Sequence, residues 1–156
     1  MLTSEFSSAR MMRDYVEKAY LPLSGAVRAR SNDHSASAKA LNAWCRAMYR
    51  RWPTVHIGTP VISQSDETWQ VQVPVYLGEI PSSSVRVELF ADVTAKHESE
   101  VIILHEDHPI PGSINGYIYA GAVSTERAMA DYTVRVVPDH PDAVLPTELP
   151  LIAWQR

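Results

Sequence analysis

Trp69-Gln70-Val71-Gln72-Val73-Pro74-Val75-Tyr76-Leu77 decides the fold. Trp69, Val71, Val73, Val75 and Leu77 alternate with Gln70, Gln72, Pro74 and Tyr76. A period of two sends the first set to one face of a strand and the second set to the other. The stretch is therefore a half-buried strand with an apolar inner face. Pro74 has no N–H to donate, which places it on an edge strand or at a bulge. Downstream the same period recurs: Val85, Val87 and Leu89 alternate with Arg86 and Glu88. Further strands are predicted at about 100–105, 116–123, 131–137 and 149–154, with a first short one at Val55 to Ile57. Six or seven short strands separated by turn formers, with no helical period, indicate an antiparallel β-sandwich. Asp131-Tyr132-Thr133-Val134-Arg135-Val136 sharpens the expectation to an immunoglobulin-like sandwich. Tyr132 stands where such folds keep a tyrosine whose hydroxyl bonds back to upstream backbone.

Upstream of Pro53 the period is 3.6. Met12, Tyr15, Val16, Ala19 and Tyr20 predict a helix over 4–20, ended by Pro22. Residues 23–35 read as a loop. Leu41, Trp44, Cys45, Met48 and Trp52 form one stripe on a second helix over about 35–51. The fold class is thus α+β: an N-terminal helical arm of two helices over 1–53, then an antiparallel immunoglobulin-like β-sandwich over 54–156. The sandwich carries its own two-faced strands and is expected to fold without the arm. The arm's apolar stripe needs cover from a partner, from the sandwich, or from a second copy through residues 4–52.

Composition excludes several classes. Hydrophobic residues make up 46% and charged residues 21% of the 156, which is globular rather than disordered. No apolar run approaches the roughly 20 residues of a membrane helix, and the N-terminus has no signal-peptide pattern. Residues 1–56 hold nine Lys/Arg against four Asp/Glu, a balance of +5; residues 57–156 hold five against fourteen, a balance of −9. The basic part lacks the clustered aromatics and glycines of a nucleic-acid surface, so no nucleic-acid partner is expected. Cys45 stands alone, so no intrachain disulfide forms, which fits a cytoplasmic location.

Candidate chemistry is sparse. His105-Glu106-Asp107-His108 holds a divalent ion only if the segment folds back on itself; before Pro109 it reads as a solvated turn. His140, between Pro138 and Pro141, reads as structural. Cys45 lies on the helical stripe and reads as packing rather than nucleophile. There is no Gly-x-Ser-x-Gly elbow, and nothing sets the separation of Glu98/Glu100 or Glu106/Asp107 for glycoside hydrolysis. Sugars stack on flat aromatic surfaces, which makes Tyr76, Tyr117 and Tyr119 the candidate glucan-stacking residues. Tyr117 and Tyr119 share one face of a strand.

Two stretches resemble a known family. They are Arg10-Met11-Met12-Arg13-Asp14-Tyr15-Val16-Glu17 with Tyr20 and Pro22, and Tyr132-Thr133-Val134-Arg135-Val136-Val137-Pro138 with His140-Pro141, Leu151 and Trp154. Together they resemble the C-terminal region of bacterial α-glucan (glycogen/maltodextrin) phosphorylases, with Trp44 and Trp52 at that region's paired tryptophans. The resemblance implies a catalytic body elsewhere, phosphorolysis that releases glucose 1-phosphate, and pyridoxal phosphate on a lysine after Gly-Met. Lys18, Lys39 and Lys96 are the lysines here, and none follows Gly-Met. No catalytic, cofactor or metal residue of the family carries over. The chain is expected to be a non-catalytic accessory domain or fragment, partnered by a phosphorylase body or by itself. The alternative is a free-standing immunoglobulin-like module that recognises a glucan or a protein.

Overall fold

The computed structural model of the chain describes Arg13, Val16, and residues 36–155 apart from 144 and 147. The helix expected over 4–20 and the loop over 23–35 lie outside the described residues, save for the exposed Arg13 and Val16. The second expected helix is present as α1, Ala36–Arg51. Its stripe is the predicted one: Leu41, Met48 and the following Trp52 are buried, while Trp44 and Cys45 are half-buried against the core. Pro53 turns the chain in a 3-10 turn over Trp52–Thr54.

Eight strands follow: β1 His56–Ile57, β2 Val61–Ser65, β3 Thr68–Tyr76, β4 Val85–Ala91, β5 Glu100–Pro109, β6 Gly116–Ser124, β7 Tyr132–Pro138 and β8 Ala153–Trp154. Their order is β1-β3-β6-β5-β4-β7-β8, with β2 also on β3, and every pairing is antiparallel. Strands β4 to β7 lie in the order β7-β4-β5-β6, which is a Greek key.

The structure corrects the expected sandwich of two separate sheets. There is one continuous sheet, because β5 is shared. Its first half pairs with β4, from Ala91↔Glu100 to Val87↔Leu104, and its second half pairs with β6, from His105↔Ala120 to Pro109↔Tyr117. A bulge between Glu106 and His108 accommodates the bend. Gly121 of β6 leaves room for the Leu104 side chain near there, since a Cβ at that position would stand 2.6 Å from Leu104 Cδ2. At the far ends of the path, Cα atoms of β1 come within 8 Å of β7 and β8, so the sheet is nearly closed on itself.

The inner face holds Val71, Val73, Val75, Leu77, Val85, Val87, Leu89, Leu104, Val134 and Val136, all buried. Met48 and Trp52 belong to this same cluster. The boundary expected near residue 53 therefore runs through a shared core, and the sheet itself covers the described half of the arm's stripe.

Tyr132 is a second correction. It starts β7 and points inward as expected, but its hydroxyl donates to Glu100 Oε2 at 2.6 Å rather than to upstream backbone. No tyrosine corner forms, because β5 brings a carboxylate to the spot.

Candidate functional site

The outer face of the half-sheet β5–β4–β7–β8 gathers the best-organised polar groups among the described residues. Strand alternation sends Arg86, Glu88 and Phe90 outward from β4, and Thr133, Arg135 and Val137 outward from β7. Register then lines up Ile103, Glu88, Arg135 and Trp154 as one row across four strands. Cross-strand neighbours of this kind are close enough to bond.

Glu88 points outward yet is 1% exposed. Its Oε1 accepts from Arg86 Nε at 2.6 Å and its Oε2 from Arg135 Nε at 2.7 Å. A carboxylate survives out of water only when its oxygens are met by strong donors, and here both are charged. The Arg135 guanidinium lies 4.3 Å from the Phe90 ring centroid and 5.5 Å from that of Trp154. Those two rings meet edge-on at 5.7 Å. Arg86 Nη1 donates to Asp139 Oδ1 at 3.2 Å. Two cations thus balance two anions. Among the described residues neither Nη of Arg135 has a hydrogen-bond partner, and nor does Asp139 Oδ2. Arg86, Glu88, Arg135 and Val137 line a cleft of about 110 Å³ whose other walls include Leu145, Pro146, Leu151 and Ile152. The face offers fixed donors, flat rings and an apolar rim. Aromatic rings beside an arginine are residue types that binding surfaces gather.

The three tyrosines named for stacking do not form one surface. Tyr117 and Tyr119 share a face of β6 as expected, but it is the inner one. Tyr119 is 4% exposed and Tyr117 is half-buried against the core. Burial, with Glu106 nearby, pushes the Tyr119 hydroxyl up to about 12. Tyr76 alone is exposed, on the opposite face, with its ring 6.0 Å from that of His56. Alternation predicts that two residues share a face but not which face meets the core, since Gln70 and Gln72 mark the outside of β3 while β6 carries no such label.

His105-Glu106-Asp107-His108 is strand rather than turn, because β5 continues to Pro109 in its pairing with β6. All four side chains are exposed. His108 Nδ1 sits 3.0 Å from Asp107 Oδ2. Among the described residues no three His, Cys, Asp or Glu side chains converge as a metal site. Cys45 packs on the core from α1. His140 lies against Trp44, with ring centroids 4.7 Å apart, and its Nδ1 accepts from the Asp142 amide at 3.1 Å.

Lys39 on α1 and Lys96 in the β4–β5 connection are both exposed. A Schiff-base lysine is desolvated and sits beside a phosphate cradle. Neither described lysine fits pyridoxal phosphate, and Lys18 lies outside the described residues.

Sequence reading placed Arg86 and Glu88 outward but missed Arg135, Phe90 and Trp154 as their companions. The signal was the shared outward parity of β4 and β7, which becomes a site only once register is known. No helix among the described residues is long and apolar enough to cross a membrane. A family model described as glycogen phosphorylase C-terminal domain matches residues 52–156. No curated protein and no solved structure matches the chain.

Proposed function

The chain belongs to the glycogen phosphorylase C-terminal domain family over residues 52–156, and from that premise we propose that it serves as a non-catalytic accessory domain of α-glucan phosphorolysis, partnered by a phosphorylase catalytic body in the cytoplasm. The match spans the whole sheet, which supports the reading. The residue types gathered on the outer face also support it, because they suit holding a partner and lack the means to transfer a glycosyl group. Pyridoxal phosphate, which would supply the acid–base phosphate in the family, finds no fitting lysine among the described residues. The purified chain, given maltodextrin, inorganic phosphate and pyridoxal phosphate, is expected to release no glucose 1-phosphate and to show no aldimine absorbance. Turnover with a Schiff base on Lys18, Lys39 or Lys96 overturns the proposal.

One observation favours a second reading. Met48 and Trp52 dock on the chain's own sheet, so the described part of the arm needs no outside body to cover it. A free-standing module that binds a glucan or a protein fits that arrangement. Affinity electrophoresis in maltodextrin or glycogen gels separates the two: retardation that is lost in Tyr76→Ala supports a binding module, and unretarded migration favours the accessory role.

A further inference from the structure

Trp44, Cys45 and Met48 pack one side of α1 against the core. Those contacts fix how the helix is turned, so its opposite side is held in place as well. Helical spacing puts Lys39, Asn42, Ala43, Arg46, Tyr49 and Arg50 on that side. All six are exposed, and together they line a hollow of about 670 Å³. We propose that this hollow is a binding site for a small phosphate-bearing ligand. The inference goes beyond the accessory role and does not depend on it.

The chemistry of the lining names the ligand. Its described residues bring three cations and no carboxylate to one hollow. Arg46 and Arg50 stand one turn apart, roughly 6 Å at the helical rise, with Lys39 roughly 10 Å before Arg46. A guanidinium offers its N–H groups as a planar fork that matches phosphate oxygens, so two forks one turn apart can close on a single phosphate. A phosphate ester carries roughly −1.5 to −2 charges at neutral pH, which suits a cluster of three cations better than one carboxylate does. Neighbouring Arg51 is turned aside, with its Nε 3.2 Å from Glu79 Oε2. Tyr49, 52% exposed, adds a flat ring, and Asn42 an amide, for the body that carries the phosphate. The hollow has the size of small-molecule sites, roughly 300–1,000 Å³. Larger anions fit less well. A nucleic acid runs on past the helix towards residues 57–156, whose balance of −9 repels it. An anionic bilayer needs an apolar helix face to insert, and that of α1 is packed on the core.

Isothermal titration calorimetry of the full chain at low ionic strength tests the proposal. The probes are inorganic phosphate and phenyl phosphate, with phenol as the control that lacks the phosphate. Saturable one-to-one binding is expected for at least one probe, and none for phenol. Tighter binding of phenyl phosphate assigns the site to a phosphate ester; otherwise the ligand is free phosphate. Tyr49→Ala should erase a preference for the ester. Arg46→Gln and Arg50→Gln alter exposed side chains, so each should leave the melt unchanged and weaken binding by roughly tenfold or more. Arg51→Gln removes the same charge one residue away and should change affinity by less than about twofold. Failure of both probes to saturate overturns the proposal. So does affinity that survives both arginine variants, or that falls as far in Arg51→Gln as in them, since general charge attraction then accounts for it. A DNA duplex that binds more tightly than either probe, through the same arginines, also overturns it in favour of a nucleic-acid surface.

Discussion

Arg127 is 4% exposed and holds three segments at once. Its Nη1 donates to the Glu98 carbonyl at 2.8 Å and its Nη2 to the Asp92 carbonyl. Its Nε lies 3.4 Å from Asp131 Oδ2, within ion-pair range, and its guanidinium is 5.5 Å from the Tyr132 ring centroid. Arg127→Met keeps the apolar stem and strands two carbonyls, so it should lower stability by about 2–4 kcal/mol in urea unfolding. Tyr132 and Tyr119 give a pH signature. Burial raises both hydroxyls to about 12, and the bond to Glu100 adds to the shift at Tyr132. The folded state therefore keeps protons that the unfolded chain releases near 10. That stability is fully present below pH 10 and is lost as pH rises towards 12. Melting temperatures across this window should fall, and fall less steeply in Tyr132→Phe; an unchanged slope in the variant would show that the hydroxyl does not couple. The inward position of Tyr132 was legible from alternation. Its partner was not, because Glu100 lies 32 residues upstream and reaches it only through the register of β5.

Elements were legible where their period was long. α1 and β3 show clear apolar stripes, and both were found. β2 was missed because all five of its residues are exposed, so Val61-Ile62-Ser63-Gln64-Ser65 has no inner set for alternation to reveal. β5 was read too short because His105 to His108 look like turn residues, yet the bulge keeps that segment paired. The arm was expected to be dispensable, but Trp52 contributes to the core beneath the sheet. Trp52→Ala should cost about 3–5 kcal/mol by chemical denaturation, and a chain starting at residue 54 should melt well below the full chain. The bend offers a sharper test. Gly121→Ala forces a methyl against Leu104 and should cost about 1–3 kcal/mol. In a Leu104→Ala background the same change should cost much less, and equal costs in the two backgrounds would remove the bend as the reason for the glycine.

At the scale of the whole molecule, charge and topology were read with unequal success. The +5 and −9 balances were countable, and the basic share falls partly on α1 at Lys39, Arg46, Arg50 and Arg51. Closure of the sheet was not countable, since it depends on one strand serving two neighbours, a property no local window contains. The near-meeting of β1 with β8 has a consequence for how the domain is mounted. The chain enters the sheet at His56–Ile57 and leaves it at Ala153–Trp154, with Cα atoms of the two strands within 8 Å of each other. The entry to the sheet and the exit from it therefore stand side by side. Domains with neighbouring ends tolerate permutation. A Gly-Ser bridge of about 15 residues, enough to run back along the roughly 24 Å of the 16-residue α1, from residue 155 to residue 36, with new ends opened in the exposed stretch Thr94–Lys96, should keep the native circular dichroism and a cooperative melt.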